Sequence, residues 1–348
     1  MTSNLAAITG IGSVSPYGPF AGLIPECAFE PEPITAWPTA GLRRAFLVKP
    51  FRPADVVPGL KTRRLDRLSA WALVASSLAI QDAGIDLSRV DRSRVAVVFG
   101  TSFGCAELTE AFYQSAAANG WSGTDPSPFP EGLANAPASH VALWHGLRGP
   151  NITVGSTGFA GESAMIQAAS LLRHGQADLV IVLAGDTLTR AVYEWYEAAG
   201  LLSPVCHNAQ SLPEGGFVPS EGVVALVLET AGRKEMRAYA HFTSGRWAMD
   251  GKAVETIRQM LGSAVPSLTI CAGNGAPCAT SSTDAVAREI GGPSTEIAPA
   301  RAVAAGLADA GAFLHLILAL GSRPRSGQAL MLGTAGGSGF AALLLELP

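Results

Sequence analysis

Nucleophilic and proton-transferring side chains are sparse in this chain and do not fall into familiar catalytic spacings. The thiols are Cys27, Cys105, Cys206, Cys271 and Cys278, with no CxxC pair among them. That pattern reads as buried small hydrophobes and incidental thiols rather than a metal or redox centre. Cys271 and Cys278 stand close enough to keep open a nucleophile in that stretch, although no histidine lies beside them to lower a thiol pKa. The imidazoles are His140, His145, His174, His207, His241 and His315, and none forms the HxxxH or HExxH spacing that binds a metal. No metal site is expected. His140 and His145 flank one turn of an apolar helical stretch, where hydrogen bonds within the fold are the expected use. Ser156 sits in GSTGFAG, which is not a GxSxG elbow and has no His–Asp set nearby. Its glycines suit a tight turn. Gly10-Ile11-Gly12 follows a strand-like run, but Pro16 and Tyr17 replace the rest of a dinucleotide loop.

The elements that would position any site are easier to read. Strand-like runs at Ala6–Ile11, Val95–Gly100, Ile152–Gly155, Leu179–Ala184 and Val223–Leu228 alternate with helical stretches. Strand-like runs recur at Leu268–Ala272, Ala329–Gly333 and Ala341–Leu347, with a helix expected at Gly311–Leu320. Such alternation predicts an α/β fold with a largely parallel sheet covered by helices. Residues Pro25 to Pro58 are proline-rich and aperiodic, which predicts a surface loop.

Composition bounds the rest. Hydrophobic residues make up 48% of 348 positions and charged residues 15%, enough to bury a large core or interface. The formal charge of −4 gives no electrostatic reason to bind nucleic acid. No apolar run reaches about 18 residues without a charge or breaker, so no membrane span is expected. The N-terminus lacks the basic stretch of a signal peptide, and a cytoplasmic protein is expected.

Several motifs together resemble the β-ketoacyl synthases. They are AAITGIGSVSPYG from Ala6, RLDRLSAWALVASSLAIQDAG from Arg64 and VAVVFGTSFG from Val95. Next come Pro126–Pro150, ending in GLRGP, and the strand–turn–helix–strand unit from Gly149 to Leu183. The series closes with GFV at Gly216, EGVVALVLE from Glu221, and LGTAGGSGFAALLLEL from Leu332. The resemblance spans nearly the whole chain in order. It implies a thiolase-like fold of two pseudo-twofold-related halves in α-β-α-β-α layers, residues 1–230 and 231–348 forming one compact unit.

The same resemblance implies an active site whose residues are missing. Condensation by the family uses a cysteine thiolate to take the acyl group and two histidines to stabilise developing charge. Counting from Gly149-Pro150 puts Gly158 at the cysteine. The first histidine falls on Ala272, in Cys271–Pro277, and the second on Ala305, with Ala300 at the family's lysine. No catalytic residues for condensation remain on that alignment, and no condensing activity is expected from this chain alone. Members without the nucleophile are the chain-length factors of type II polyketide synthases. The implied partners are therefore a catalytic ketosynthase, in a heterodimer, and an acyl carrier protein bearing a phosphopantetheine-linked chain. No cofactor is implied. Gly158 in place of the glutamine of aromatic members, with the chain's short length, points to the highly reducing or polyene type.

On this alignment Phe103 stands at the base of the acyl pocket, where burial of a Phe would contribute roughly 1.5–3 kcal/mol and fill the space. Phe159, next to the vacated cysteine, joins it as a pocket residue. Pro126–Ala134 matches the stretch that crosses to the partner's tunnel, making Ser127, Gly132 and Leu133 candidates for setting chain length. Lys61, Arg63 and Arg64 match a region near the carrier entrance. Two alternatives stay open: a homodimeric scaffold or acyl-binding protein, and an enzyme with chemistry moved to Cys271, Cys278 or Glu221.

Overall fold

A computed structural model describes residues 6–24, 30–37, 43–155, 158–203, 216–230, 237–249, 252–273, 285–290, 311–322, 326–334 and 339–348. The first half contributes β1 (Ala6–Ser15), β5 (Val95–Thr101), β6 (Asn151–Gly155), β7 (Leu179–Asp186) and β8 (Gly222–Glu229). The second contributes β9 (Ala240–Met249), β10 (Leu268–Gly273), β11 (Gly327–Thr334) and β12 (Gly339–Leu347). Short β2 (Gly18–Ala21) hairpins onto β1, and β3 (Glu32–Pro33) pairs with β4 (Arg44–Ala45).

The strands run β6-β5-β7-β8-β1 and then β9-β12-β11-β10. In the first half β5 is parallel to β6 and β7, while β8 runs antiparallel to β7 and β1. In the second half β10 is parallel to β11, and β12 runs antiparallel to β11 and β9. The last strand of each half therefore slots between the half's first strand and its penultimate one, with matching directions. This is the repeat expected of two pseudo-twofold-related halves. Antiparallel pairs from Ala6↔Phe242 to Ile8↔Ala240 join the halves through β1 and β9.

Strand alternation sorts the core into layers. On β8, Val223, Ala225 and Val227 face α2 (Arg67–Asp82), packing with Leu68, Trp71 and Ala75. Val224, Leu226 and Leu228 face the opposite way, toward α5 (Ala160–Arg173) and the helix Gly311–Ser322, labelled α8. Leu343 and Leu345 of β12 close that inner layer from the other half, so α5 and α8 lie between the two sets of strands. Leu330, Leu332, Ala342 and Leu344 turn outward onto Ile257 and Leu261 of α7 (Ala253–Leu261). The order is helix, strands, helix, strands, helix.

The Gly10–Gly12 pair has a packing role. A Cβ at either position would collide with α2 backbone, at Ala79 or Ala75, so glycine lets the helix lie directly on β1. The expectation of a surface loop over Pro25–Pro58 is corrected in its described part. Ala45 is 0% and Phe46 2% exposed, and Phe46 bridges to Ser220, because these residues cover the end of the sheet beside Glu221. The remaining helices are α1 (Pro53–Val56), α3 (Ala106–Asn119), α4 (Ala136–His145) and α6 (Arg190–Ala198). Among the described residues no helix is long and apolar enough to cross a membrane.

Candidate functional site

The turn between β6 and α5 sets the site. Gly158 has φ +91°, a left-handed value that side chains with a Cβ rarely adopt. α5 starts two residues later over β5, where Gly100 permits the Ala160 carbonyl to approach closer than any Cβ would allow. Phe159 is the N-cap and supplies no side-chain hydrogen bond. The Ser163 N–H reaches back to the Phe159 carbonyl at 3.0 Å. Ser163 also accepts a hydrogen bond from the Trp247 indole of β9 at 2.9 Å, pinning the helix start to the second half.

Across this helix end lie β10 and β11. Ala272 is the register partner of Gly333, and Cys271 of Leu332. Gly333 in turn lies against the carboxyl of Glu162, where an added methyl would collide. The fold therefore brings the Gly158 turn and the Ala272 strand to the neighbourhood of one acidic side chain. Glu162 is 1% exposed, and burial pushes its carboxyl up to about 8. Sequence reasoning missed this residue. The available signal was a lone acid in the otherwise apolar start of a buried helix. Ala300, Ala305 and Cys278 lie outside the described residues.

The other expected site residues have partners of their own. Phe103 is half-buried and meets Trp195 and Tyr196 edge-on, at centroid distances of 5.8 and 5.7 Å. Tyr196 in turn meets Phe217 at 4.9 Å. Asp186 at the end of β7 fixes this loop, accepting from Thr101 at 2.6 Å and from the Phe103 N–H at 2.8 Å. Phe159 is half-buried beside Gly158.

Ser127 is exposed, and its hydroxyl donates to Asp125 at 2.7 Å. The Gly132 carbonyl accepts from Thr109 of α3 at 2.9 Å, and His140 holds Glu131 at 2.5 Å. Those contacts fasten the segment while leaving Phe129 51% and Leu133 42% exposed, with the Phe129 ring 5.6 Å from Phe112 of α3. His145 bonds Ser76 at 3.2 Å, and burial holds its imidazole down at about 4. Both histidines are thus engaged within the fold, as their placement in the sequence suggests.

Lys61, Arg63 and Arg64 are exposed just ahead of α2. Arg67 instead turns inward, 3.2 Å from Glu221. Glu221 also accepts from the backbone of Val48 and Leu188, at 3.2 and 3.1 Å, which is the bonding of a structural carboxylate. Cys105 is buried, and burial pushes its thiol up to about 12, which leaves it unreactive. Cys271 is half-buried and forms no disulfide.

Comparison with known proteins agrees with this geometry. The family model for the β-ketoacyl synthase N-terminal domain matches residues 26–233. Nodulation protein E of Rhizobium leguminosarum bv. trifolii is 30% identical over 179 residues, 51% of this chain and 45% of that protein. The 3-oxoacyl-[acyl-carrier-protein] synthase 2 of Vibrio cholerae is 25% identical over 245 residues, 66% of this chain and 58% of that one. The chain thus spans about half the length of the curated relatives it matches.

Among solved structures, the ishigamide ketosynthase/chain length factor superposes with a TM-score of 0.78 at 21% identity, covering 98% of this chain and 99% of that one. A type II PKS ketosynthase in complex with its acyl-carrier protein gives 0.78 at 16%, covering 99% of each. A β-ketoacyl synthase from Burkholderia phymatum gives 0.79 at 18% over the full length of both chains. At these identities the structural likeness is one of fold. With the family model matched across more than half its length, this chain belongs to the β-ketoacyl synthase family.

Proposed function

We propose that this chain is a non-catalytic chain-length-factor subunit, pairing with an active ketosynthase to extend a polyketide or polyene chain on an acyl carrier protein. The observation that carries this reading is Gly158. At the turn where condensing relatives place their nucleophile, the backbone holds φ +91° and no side chain exists to be acylated. Ala272, at the expected position of the first histidine, offers no imidazole to stabilise an enolate. The partner supplies the thiolate and the histidines. This subunit supplies shape.

Two features favour that division. Phe103 stands within the aromatic group of Trp195, Tyr196 and Phe217, which fills this subunit's own acyl space and directs the chain to the partner's side. The outer strand β6 has half-exposed side chains and pairs with β5 on one edge among the described residues. Beside it in the chain, Trp144 is 42% and Leu143 77% exposed, surface suited to a protein partner. The segment Pro126–Ala134 then extends toward the partner's tunnel, with Leu133 setting its depth, and Lys61, Arg63 and Arg64 meet the acidic carrier. We take residues 1–230 and 231–348 as the halves of this unit and the cytoplasm as its place of work.

The test is covalent labelling of the assembled pair with an acyl-thioester and with an alkylating ketosynthase inhibitor. Adducts confined to the partner's thiol are expected. A stoichiometric adduct on this chain, at Cys271 or elsewhere, overturns the reading.

A further inference from the structure

The loop after β5 and the segment Pro126–Ala134 share one anchor. Asp186 ends β7, opposite Gly222 of β8, and is 7% exposed. A carboxylate is costly to bury unless its oxygens are bonded, and this one collects its donors from a single loop. Its Oδ1 accepts from the Thr101 hydroxyl at 2.6 Å and from the Phe103 N–H at 2.8 Å. Its Oδ2 accepts from the Ser102 N–H at 3.3 Å. The Thr101 oxygen passes the hold one step on, accepting from the Gly104 N–H at 2.9 Å. Thr101 to Gly104 are thereby tied to one carboxylate, directly or through one hydroxyl.

Gly104 carries that anchor across to the second segment. Its φ is +60°, a left-handed value, and a Cβ added there would lie 2.8 Å from the Ala134 Cβ. Glycine thus lets the Phe103 loop lie directly on Ala134, whose neighbour in sequence is Leu133. A second tie runs through α3. Cys105 is the N-cap of that helix, and Thr109 within it donates to the Gly132 carbonyl at 2.9 Å. Phe103 and Leu133 are therefore the two ends of one packed unit rather than independent side chains. Phe103 meets Trp195 and Tyr196 within this subunit, while Leu133 stands at the surface. A displacement at Asp186 reaches both.

We propose that Asp186 is a positioning residue for product length, setting where Phe103 and Leu133 stand through the Thr101 hydroxyl and the Gly104–Ala134 contact. The inference rests on reading this chain as a chain-length factor whose own acyl space Phe103 fills, and it deepens that reading. Asp186 touches no substrate and takes part in no bond-forming step. It keeps the Phe103 ring within its aromatic group and fixes the depth at which Leu133 meets the partner's tunnel. What the position requires is acceptance rather than charge. An amide oxygen there takes the same hydrogen bonds from Thr101 and Phe103 and gives up only the long one from Ser102.

The experiment compares wild type with Asp186→Ala, Asp186→Asn, Thr101→Val and Thr101→Ser, each produced together with the ketosynthase encoded beside this chain. Product length is read by mass spectrometry, and amide hydrogen exchange is followed over residues 101–110 and 126–134. Melting temperature and native mass spectrometry establish that each variant folds and pairs. Asp186→Ala lengthens the products by an extension unit or more, and so does Thr101→Val, which keeps the side chain's shape and therefore the fold. The same two variants speed exchange in both segments, by about tenfold where a hydrogen bond is lost. Asp186→Asn and Thr101→Ser keep wild-type length and protection. Wild-type lengths from folded, paired Asp186→Ala and Thr101→Val overturn the inference and leave the proposed function standing. Faster exchange confined to residues 101–110 also overturns it, because the coupling to Ala134 would be absent. A wild-type chain that pairs with no ketosynthase is instead the failure of the proposed function, and the role in product length falls with it.

Discussion

Replacing Glu162 by glutamine should change how stability depends on pH, by an amount that follows from its burial. The carboxyl stands at about 8 in the folded chain against an ordinary value of 4.5. Between those values the folded state keeps a proton that the unfolded chain has released, so the unfolded state binds fewer protons and stability falls as pH rises. The loss accumulates at ~1.4 kcal/mol per pH unit. It is absent below the unfolded value, reaches about 3 kcal/mol near pH 7, and levels off at about 4–5 kcal/mol above pH 8. Glutamine keeps the size and polarity of the side chain and removes the titration. The assay is urea unfolding of wild type and Glu162→Gln at pH 5, 7 and 8.5, comparing midpoints. Glutamine's advantage should be smallest at pH 5 and grow steadily toward pH 8.5. A constant difference at all three values would refute the reasoning, because it would show a carboxyl that titrates alike in both states.

Other outcomes follow from the same geometry. Gly158→Cys places a Cβ at φ +91°, a strain of about 1–3 kcal/mol, and with Ala272 unchanged the chain alone still fails to condense malonyl-thioester; turnover in a radiolabelled assay would contradict this. Leu133→Ala lengthens the products of the reconstituted pair and Leu133→Phe shortens them, read by mass spectrometry of the released chains. Unchanged length from both substitutions removes the depth-setting role. Cys105, with its thiol near 12, stays unmodified by iodoacetamide at pH 8 in the folded protein and reacts on unfolding. Modification of Cys105 in the folded protein would count against the burial argument.

Much of the architecture was legible because apolar runs and glycines mark it. The runs in β5, β7 and β8 are continuous since both their faces are covered, and Val223–Leu228 splits its side chains between two layers. The Gly10–Gly12 pair could be read as a phosphate loop or as packing, and contact with α2 decided for packing. β9 was less legible: His241, Thr243, Ser244 and Arg246 interrupt it, and it earns its place by pairing with β12 and β1. The stretch around Phe46 read as loop because its prolines break periodicity, while its burial depends on distant Ser220.

The site divides in the same way. Gly158 and Ala272 were singled out by spacing within motifs, and their reading as positions of missing functional groups rests on that spacing. Glu162 was invisible because a glutamate at the third position of a helix usually faces water and caps the helix end. Only the packing of β11 against α5 encloses it, through a glycine more than a hundred residues away in sequence. Phe103 was expected at a pocket base; its aromatic neighbours Trp195 and Tyr196 come from α6, which no local pattern linked to it.

The central claim is that this chain is one half of a working pair. The most direct measurement is native mass spectrometry of the chain expressed alone and together with a ketosynthase encoded beside it, after exposure to acyl-thioester. A one-to-one complex, with acyl mass on the partner alone, is the predicted result. A homodimer in both samples, or an acyl adduct on this chain, would contradict it.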